Sequence, residues 1–194
     1  LITTDTASYV TTTSAVSGGD VTNEGGLIVS EKGICYSTNS NPTVFDNKII
    51  GGNGLGPFTS NLTGLIDNTT YYVKSYAINS AGTAYGNEIS FKTIEIFMPS
   101  VITTKATNIT LSTATTGGNV TDDGGDNITD RGISYSTSPN PTLANQFVSG
   151  GTGSGTFTVN LTGLTLGTTY YIRAYATNSK GTSYGAEESF TTLS

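Results

Sequence analysis

The sequence has no histidine and no tryptophan, and only one cysteine and one methionine among its 194 residues. Without histidine, a Ser–His–Asp triad, a His-ligated zinc site and a His-ligated haem cannot form. A single cysteine excludes a disulfide within the chain. No apolar run approaches the roughly 20 residues that a membrane-spanning helix needs. We therefore expect a non-catalytic protein that carries no cofactor and does not insert into a membrane.

Charged residues are also scarce, at 11% of the chain, against about 25% in an average soluble domain. The net charge is −6, from 14 acidic and 8 basic residues. Binding to nucleic acid or to an anionic membrane requires clustered Lys and Arg, so neither partner is expected. The abundant residues are Gly, Thr, Ser and Asn, with 11 tyrosines. Threonine and tyrosine favour strands, because β-branched and aromatic side chains suit a pleated surface.

An internal repeat dominates the sequence. GGDVTNEGG from Gly18 recurs as GGNVTDDGG from Gly117, and the motifs NPT, NLTGL and TTYY each occur twice. From Gly18 to Thr93 the two copies align without a gap at a spacing of 99 residues. About half of the aligned positions are identical, which indicates a tandem duplication. Upstream, Ile2-Thr3-Thr4 matches Ile102-Thr103-Thr104 at a spacing of 100, which predicts one inserted residue near Tyr9.

Each copy has the size of one small sandwich domain, about 100 residues. The predicted boundaries are repeat 1 at 1–93, a linker at 94–100 and repeat 2 at 101–194. The linker is short and apolar, and its Pro99 fixes φ and favours a stiff, extended connection. We therefore expect Ile96, Phe97 and Met98 to pack between two domains that are joined end to end.

Seven strand-like segments can be identified in the second copy. Phe157, Val159 and Leu161 alternate with polar residues, the period-two pattern of a half-buried strand. The segment from Ile109 to Thr121 contains the pair Gly117-Gly118, which predicts a bulge or bend. Short strands separated by frequent turn signals are typical of a β-sandwich. The prediction is an all-β chain made of two tandem seven-stranded sandwiches.

The segment Leu164–Asn178, which reads LTLGTTYYIRAYATN, resembles the E–F corner and F strand of fibronectin type III domains. The whole chain resembles the Gly- and Thr-rich fibronectin type III-like repeats of secreted and surface proteins of Bacteroidota. The resemblance implies an immunoglobulin-like sandwich and an extracellular location, secreted or at the cell surface. It also implies that Tyr71 and Tyr170 are tyrosine-corner residues, whose hydroxyls bond the backbone a few residues upstream. It implies no particular ligand.

One surface is a candidate for binding. In the strand that follows the corner, we assign Tyr71, Val73, Ser75 and Ala77 to the core. Alternation then predicts an outward aromatic–cation–aromatic ladder in each repeat, formed by Tyr72, Lys74 and Tyr76 and by Tyr171, Arg173 and Tyr175. Tyrosine rings could stack on sugars while the cation binds a carboxylate. The alternative is a cation–π ladder that only covers the sheet.

Three further features carry candidate chemistry. Asp122, Asp123 and Asp126 could ligate calcium, although an acidic β-turn explains the same residues without a metal. Cys35 is expected to be a passive thiol, with pairing to another chain as the alternative, because no base is present to activate it. Asp5-Thr6-Ala7 resembles the motif at which Bacteroidota attach O-glycans, which makes Thr6 a candidate for glycosylation.

The sequence favours a structural spacer of a long extracellular protein, in a bacterial surface protein, adhesin or filament. Its partners would be neighbouring repeats of the same polypeptide or identical chains. One alternative is a recognition module that binds glycan or a protein surface. Another is a set of accessory domains beside a secreted enzyme.

Overall fold

The computed structural model describes all 194 residues, and all of its regular structure is β-sheet. The chain divides into two compact units, Leu1–Glu95 and Ile96–Ser194. The division falls within the segment that was predicted to be the linker. No helix long and apolar enough to cross a membrane is found.

Unit 1 is a sandwich of two antiparallel sheets. Its strands are β1 (Ile2–Thr4), β2 (Ser14–Val21), β3 (Glu31–Ser37), β4 (Asn47–Gly52), β5 (Gly56–Thr63), β6 (Thr70–Asn79), β7 (Gly82–Tyr85) and β8 (Ile89–Lys92). The smaller sheet has the order β1-β2-β5, and the larger has the order β4-β3-β6-β7, with β8 also paired to β6. The two sheets enclose one apolar core.

Unit 2 repeats this arrangement around a second core. Its strands are β9 (Ser100–Thr107), β10 (Ala114–Asp122), β11 (Asp130–Ser136), β12 (Gln146–Ser149), β13 (Gly155–Leu161), β14 (Thr169–Asn178), β15 (Gly181–Tyr184) and β16 (Glu188–Thr191). The orders are β13-β10-β9 and β12-β11-β14-β15, with β16 paired to β14. The prediction of an all-β chain made of two tandem sandwiches is therefore confirmed.

The last strand of each unit is interrupted, which accounts for eight assigned segments where seven were predicted. In unit 1, Tyr76 faces Tyr85 and Val73 faces Ile89, so the last strand holds one extra residue between these pairs. The amide of Gly86 still bonds the carbonyl oxygen of Ser75 across the interruption. β7 and β8 are thus two halves of one bulged strand, and β15 and β16 are their equivalents.

The predicted insertion near Tyr9 is wrong. Ile2 pairs with Val21 and Val101 pairs with Val120, so these first-strand residues are equivalent at a spacing of 99. The next unusual backbone position also keeps this spacing, because Tyr9 and Asn108 both have φ of 48°. The match between the two Ile-Thr-Thr sequences is therefore one residue out of structural register.

The Gly117-Gly118 pair allows close packing around β10. The pairing of β10 is continuous with one neighbouring strand and irregular with the other. β10 keeps continuous pairing with β13 there, while its register with β9 shifts between Thr115 and Gly117. A methyl group on Gly117 would lie 2.0 Å from the carbonyl oxygen of Phe157, and one on Gly118 would lie 2.8 Å from Ala174 in the other sheet. Glycine is required at both positions, because a side chain on Gly117 would clash with the backbone of the neighbouring strand β13 and one on Gly118 would clash with Ala174 of the facing sheet.

The predicted linker is divided between the two units. The amide of Ile94 donates to Thr11 in unit 1, and the amide of Phe97 donates to Gly124 in unit 2. Ile96 is buried, whereas Phe97 and Met98 remain 60% and 56% exposed. The segment after Glu95 is therefore fixed to unit 2 mainly through its backbone.

Candidate binding surface on the larger sheet

The tyrosine-corner hydrogen bond is present in both units. The hydroxyl of Tyr71 accepts a hydrogen bond from the amide of Ile66 at 3.0 Å, and Tyr170 accepts one from Thr165 at the same distance. Both rings are buried and stack on a phenylalanine of the last strand, with ring centroids 5.9 Å apart. This geometry gives Tyr71 and Tyr170 a structural role.

The predicted outward ladder is wrong for Tyr76 and Tyr175, which are fully buried. Tyr76 does point to the outer face, but it lies opposite Gly33 of β3. Because glycine has no side chain, the ring lies flat over it, and the Tyr76 oxygen would be 2.9 Å from a methyl group at Gly33. The Tyr76 hydroxyl donates to Glu31 at 2.7 Å. Tyr175 is held over Gly132 and donates to Asp130 in the same way.

A different side chain covers the buried ring in each unit. In unit 1, the Lys48 ammonium lies 5.8 Å from the centroid of the Tyr76 ring and forms a 3.0 Å salt bridge with Glu31. In unit 2, the equivalent residue Phe147 packs edge-on against Tyr175 with centroids 6.2 Å apart. The tyrosine is thus covered by a cation in one unit and by an aromatic ring in the other.

The predicted cations stack on tyrosines of the neighbouring strand instead of their own. The Lys74 ammonium lies 5.9 Å from the ring of Tyr85, and the Arg173 guanidinium lies 5.0 Å from the ring of Tyr184. Lys74 also donates to the side chain of Asn41 at 3.2 Å, and Arg173 Nε donates to the carbonyl oxygen of Gly185 at 3.0 Å. Both cations therefore stabilise the sheet, and the ladder is reduced to half-buried Tyr72 and Tyr171.

The NPT motif, whose Asn-Pro pair is a turn signal in the sequence, forms a loop that is hydrogen-bonded to this sheet. In unit 1, Pro42 is fully buried. The amide of Asn41 donates to the Glu88 carboxylate, and the amide of Val44 donates to the Tyr85 hydroxyl at 3.2 Å. In unit 2 the same bonds join Asn140 to Glu187 and Leu143 to Tyr184. The sequence did contain a signal for this loop, because NPT, Tyr85 and Glu88 all recur in the second copy.

Cys35 is fully buried in β3. Its thiol donates to the carbonyl oxygen of Lys74, and the equivalent Ser134 donates to the carbonyl oxygens of Pro141 and Arg173. Burial raises the pKa of the Cys35 thiol to about 11. The folded protein therefore does not expose this thiol for pairing with another chain.

The acidic loop uses its carboxylates to hold its own backbone. Asp122 accepts from the amide of Gly124 at 2.8 Å, and Asp123 accepts from Gly125 at 2.9 Å. Hydrogen bonds from Ser179 and from the amide of Asn127 lower the pKa of Asp126. No three acidic or other ligating side chains come together to hold a metal ion. The geometry is that of an acidic turn.

Thr6 lies in the exposed segment between β1 and the bridge at Ser8. The flanking backbone is fixed, because the amide of Asp5 donates to Gly18 and its carbonyl accepts from the Ser17 hydroxyl. The threonine is therefore accessible on an ordered segment, and its glycosylation stays a prediction.

Sequence reasoning missed a cation in each unit that lies against the turn before β5 or β13; it is buried in unit 1 and half-buried in unit 2. Lys32 is only 5% exposed, and its ammonium donates to the carbonyl oxygens of Leu55 and Gly56 at 2.9 and 2.8 Å. The ammonium also lies 5.6 Å from the centroid of the Phe58 ring. Arg131 does the same in unit 2, over Phe157. Each cation anchors the turn that precedes β5 in unit 1 or β13 in unit 2.

The Tyr76–Glu31 hydrogen bond should make unit 1 sensitive to acid. Hydrogen bonds from Tyr76 and then Lys48 lower the pKa of Glu31. A carboxyl with a lowered pKa stabilises the fold at neutral pH, and this contribution is lost as pH falls through its folded value. Tyr76→Phe should lower the free energy of unfolding of unit 1 by about 1–2 kcal/mol at pH 7. The difference from the parent should shrink below about pH 4, as Glu31 is protonated.

Residue-resolved amide exchange at pH 7 and pH 3 measures this difference for unit 1 alone. Tyr72→Phe is the matched control, because it removes a hydroxyl from the same strand without touching Glu31. An equal loss for both variants, or a loss that persists at pH 3, would contradict the assignment.

No protein-family model matches the sequence, and no curated protein matches it. Several solved structures are similar in fold. Domains A168–A170 of titin are 14% identical, with a TM-score of 0.45 over 93% of this chain and 59% of that chain. A segment of two fibronectin type III domains from chicken tenascin is 15% identical, with a TM-score of 0.40 over 96% of both chains. The FN1–FN3 domains of chicken CNTN1 are 15% identical, with a TM-score of 0.41 over 98% of this chain and 67% of that chain.

Proposed function

We propose that the chain is a non-catalytic structural spacer, part of a long extracellular bacterial surface protein, adhesin or filament. The proposal rests on the contacts that the candidate binding side chains make. The same positions in both units, occupied by Lys74 and Arg173 and by Tyr76 and Tyr175, are engaged in contacts within the sheet. Side chains that are engaged in contacts within the domain stabilise its fold and offer few free groups to a ligand.

The duplication supports the same function. A repeated unit with its own core is suited to building length, because each copy can be added without changing its neighbour. The partners in this proposal are further repeats or identical chains. The extracellular location rests on the resemblance to secreted repeats, and labelling of intact cells with a membrane-impermeant reagent tests it.

One observation favours recognition of a glycan or a protein surface as a second function. Tyr72 and Tyr171 stay half-exposed at the same position of both units, each on the same face as a cation, Lys74 or Arg173. A tyrosine ring beside a cation suits an acidic sugar or a carboxylate-bearing surface. The surrounding sheet is a poor pocket, however, because ligand sites are usually concave.

Binding of the chain to a glycan array separates the two functions. The spacer proposal predicts no saturable binding, and Tyr72→Ser combined with Tyr171→Ser should leave the array unchanged. The matched control is Phe45→Ser, which removes an exposed aromatic ring outside β6. Saturable binding that the double variant loses and the control keeps, with equal melting temperatures, would replace the spacer with a recognition module.

A further inference from the structure

A cleft with a volume of about 550 Å³ lies in unit 2, where β11 ends and β12 begins. None of its lining residues is charged. Tyr135 and Tyr170 supply aromatic rings, and the other lining residues are small or polar, among them Ala144, Asn145 and Gln146. Both tyrosines pack with the core of unit 2, so the cleft is separate from the outer face of the larger sheet.

The wall of this cleft is aromatic. The ring centroids of Tyr135 and Tyr170 are 6.2 Å apart, and the ring planes are tilted by 55°. Tyr135 is half-buried, and burial raises the pKa of its hydroxyl, which is therefore uncharged at neutral pH. Aromatic rings favour edge-on and offset packing on one another. A third ring that entered the cleft could therefore pack against Tyr135 without meeting a charge.

The same loop of unit 1 carries an exposed aromatic ring. Phe45 is the equivalent of Ala144 at the spacing of 99 residues. It is 95% exposed, the highest value among the exposed large apolar residues of the chain. Removing such a ring from water is favourable, because the hydrophobic effect grows with the apolar area that is covered.

The turn that carries Phe45 is ordered. The amide of Asp46 donates to the carbonyl oxygen of Thr43 at 3.0 Å, and the Asp46 carboxylate accepts from the amide of Thr43 at 2.8 Å. The amide of Val44 donates to the Tyr85 hydroxyl at 3.2 Å. Ordering a loop is one of the costs of association. A turn that is already fixed by these bonds presents the ring at a lower cost.

Two differences between the units make the cleft of unit 2 the better acceptor for an aromatic ring. Ala144 leaves free the space beside the cleft that a larger side chain would restrict, and the neutral Asn145 replaces Asp46. A ring docked on unit 1 would have to cover the Asp46 carboxylate, and burying an unpaired charge is costly. The equivalents of two lining residues, Thr38 and Asn47, are exposed in unit 1, so this place is open in both units.

We propose that the cleft of unit 2 binds the Phe45 ring of a second copy of this chain. A second copy is the partner because each chain carries both an uncharged cleft with an aromatic wall and an apolar ring that is almost fully exposed within its own chain. Since ring and cleft lie on different units, the contact is heterologous and can join one chain to the next. The inference rests on the proposed spacer function, whose partners include identical chains, and it names the surfaces that they would use.

Two complementary variants separate the ring from the cleft. Phe45→Ala removes the ring and keeps the cleft, whereas Ala144→Asp keeps the ring and puts a charge where the ring would dock. Both side chains are exposed, so both variants should keep the melting temperature of the parent. Isotope-labelled Phe45→Ala chain, titrated with unlabelled Ala144→Asp chain and followed by NMR, should show saturable shifts at the amides of Tyr135, Ala144 and Gln146.

The chain that carries both substitutions has neither surface, and as the titrant it should bind at least about tenfold more weakly. Absence of saturable shifts at the three amides in the first titration, or equal binding of the two titrants, would overturn the proposal.

Sedimentation of the parent at rising concentration tests the same contact without a label. Reversible association is expected, and Phe45→Ala should weaken it at least about tenfold. Ile28→Ala is the matched control, because it removes an 80% exposed apolar side chain from another loop of unit 1 and should leave association unchanged. Equal weakening by both variants would refute the site. Failure of this contact leaves the spacer function standing, because that function is tested separately by the glycan array.

Discussion

Replacing Gly33 by alanine should lower the free energy of unfolding of unit 1 by about 3 kcal/mol, the upper part of the range for an overpacked site. The added methyl group would lie 2.1 Å from the carbonyl oxygen of Ile49 and 2.9 Å from the Tyr76 hydroxyl. The first contact pushes β4 away from β3, and the second lifts the tyrosine off the sheet. The loss is a large share of the 5–15 kcal/mol that typically stabilises a domain.

Residue-resolved amide exchange, or calorimetry if the two units melt separately, measures this loss. Gly132→Ala should produce the equivalent loss in unit 2 and leave unit 1 unchanged, since the same two contacts recur there. Gly64→Ala is the control: its φ is 69° and its methyl group meets nothing within 4 Å, so only backbone strain is added. If Gly33→Ala costs no more than Gly64→Ala, the ring does not depend on the glycine.

Replacing Lys32 by methionine should destabilise unit 1 by about 2 kcal/mol, because the carbonyl oxygens of Leu55 and Gly56 lose a charged hydrogen-bond donor. Methionine has a similar length and retains the contact with Phe58, so the effect isolates the ammonium group. Lys32→Arg should recover most of the stability, since Arg131 performs this role in unit 2.

Chemical unfolding with residue-resolved detection checks this result against Lys92→Met, which removes a lysine charge at an exposed position of β8. Equal effects of the two methionine variants would show that the hydrogen bonds to the turn contribute nothing. A loss in Lys32→Met that Lys32→Arg does not recover would show that the shape of the lysine matters more than its donors.

The fold could be predicted because strand patterns are local. Phe157, Val159 and Leu161 alternate with polar residues, and all three are buried in the core. Alternation also placed Tyr76 correctly on the outer face of its strand. Alternation did not predict that Tyr76 is buried. The burial of Tyr76 depends on Gly33, which lies in a neighbouring strand 43 residues away along the chain, and no local pattern reveals this pairing.

The tyrosine surface shows what a duplicated sequence can add. A glycine opposite a tyrosine in both copies, Gly33 with Tyr76 and Gly132 with Tyr175, is a signal for a ring that covers a bare stretch of backbone. Identity alone was misleading at the first strand, where Ile-Thr-Thr recurs one residue away from the true register. A match of three common residues arises easily by chance. The pairing of Ile2 with Val21 defines the true register, and it can be seen only in the folded structure.

The buried thiol has a consequence for following the motions of this molecule. Cys35 is the only cysteine, it is shielded in the native state, and its partner position in unit 2 is the unreactive Ser134. A thiol-specific reagent can therefore modify Cys35 only when unit 1 opens locally or unfolds. The rate at which Cys35 is modified therefore reports the opening of unit 1 alone, because unit 2 has no cysteine. Two units alike in about half their aligned residues thereby become distinguishable in solution without an engineered label.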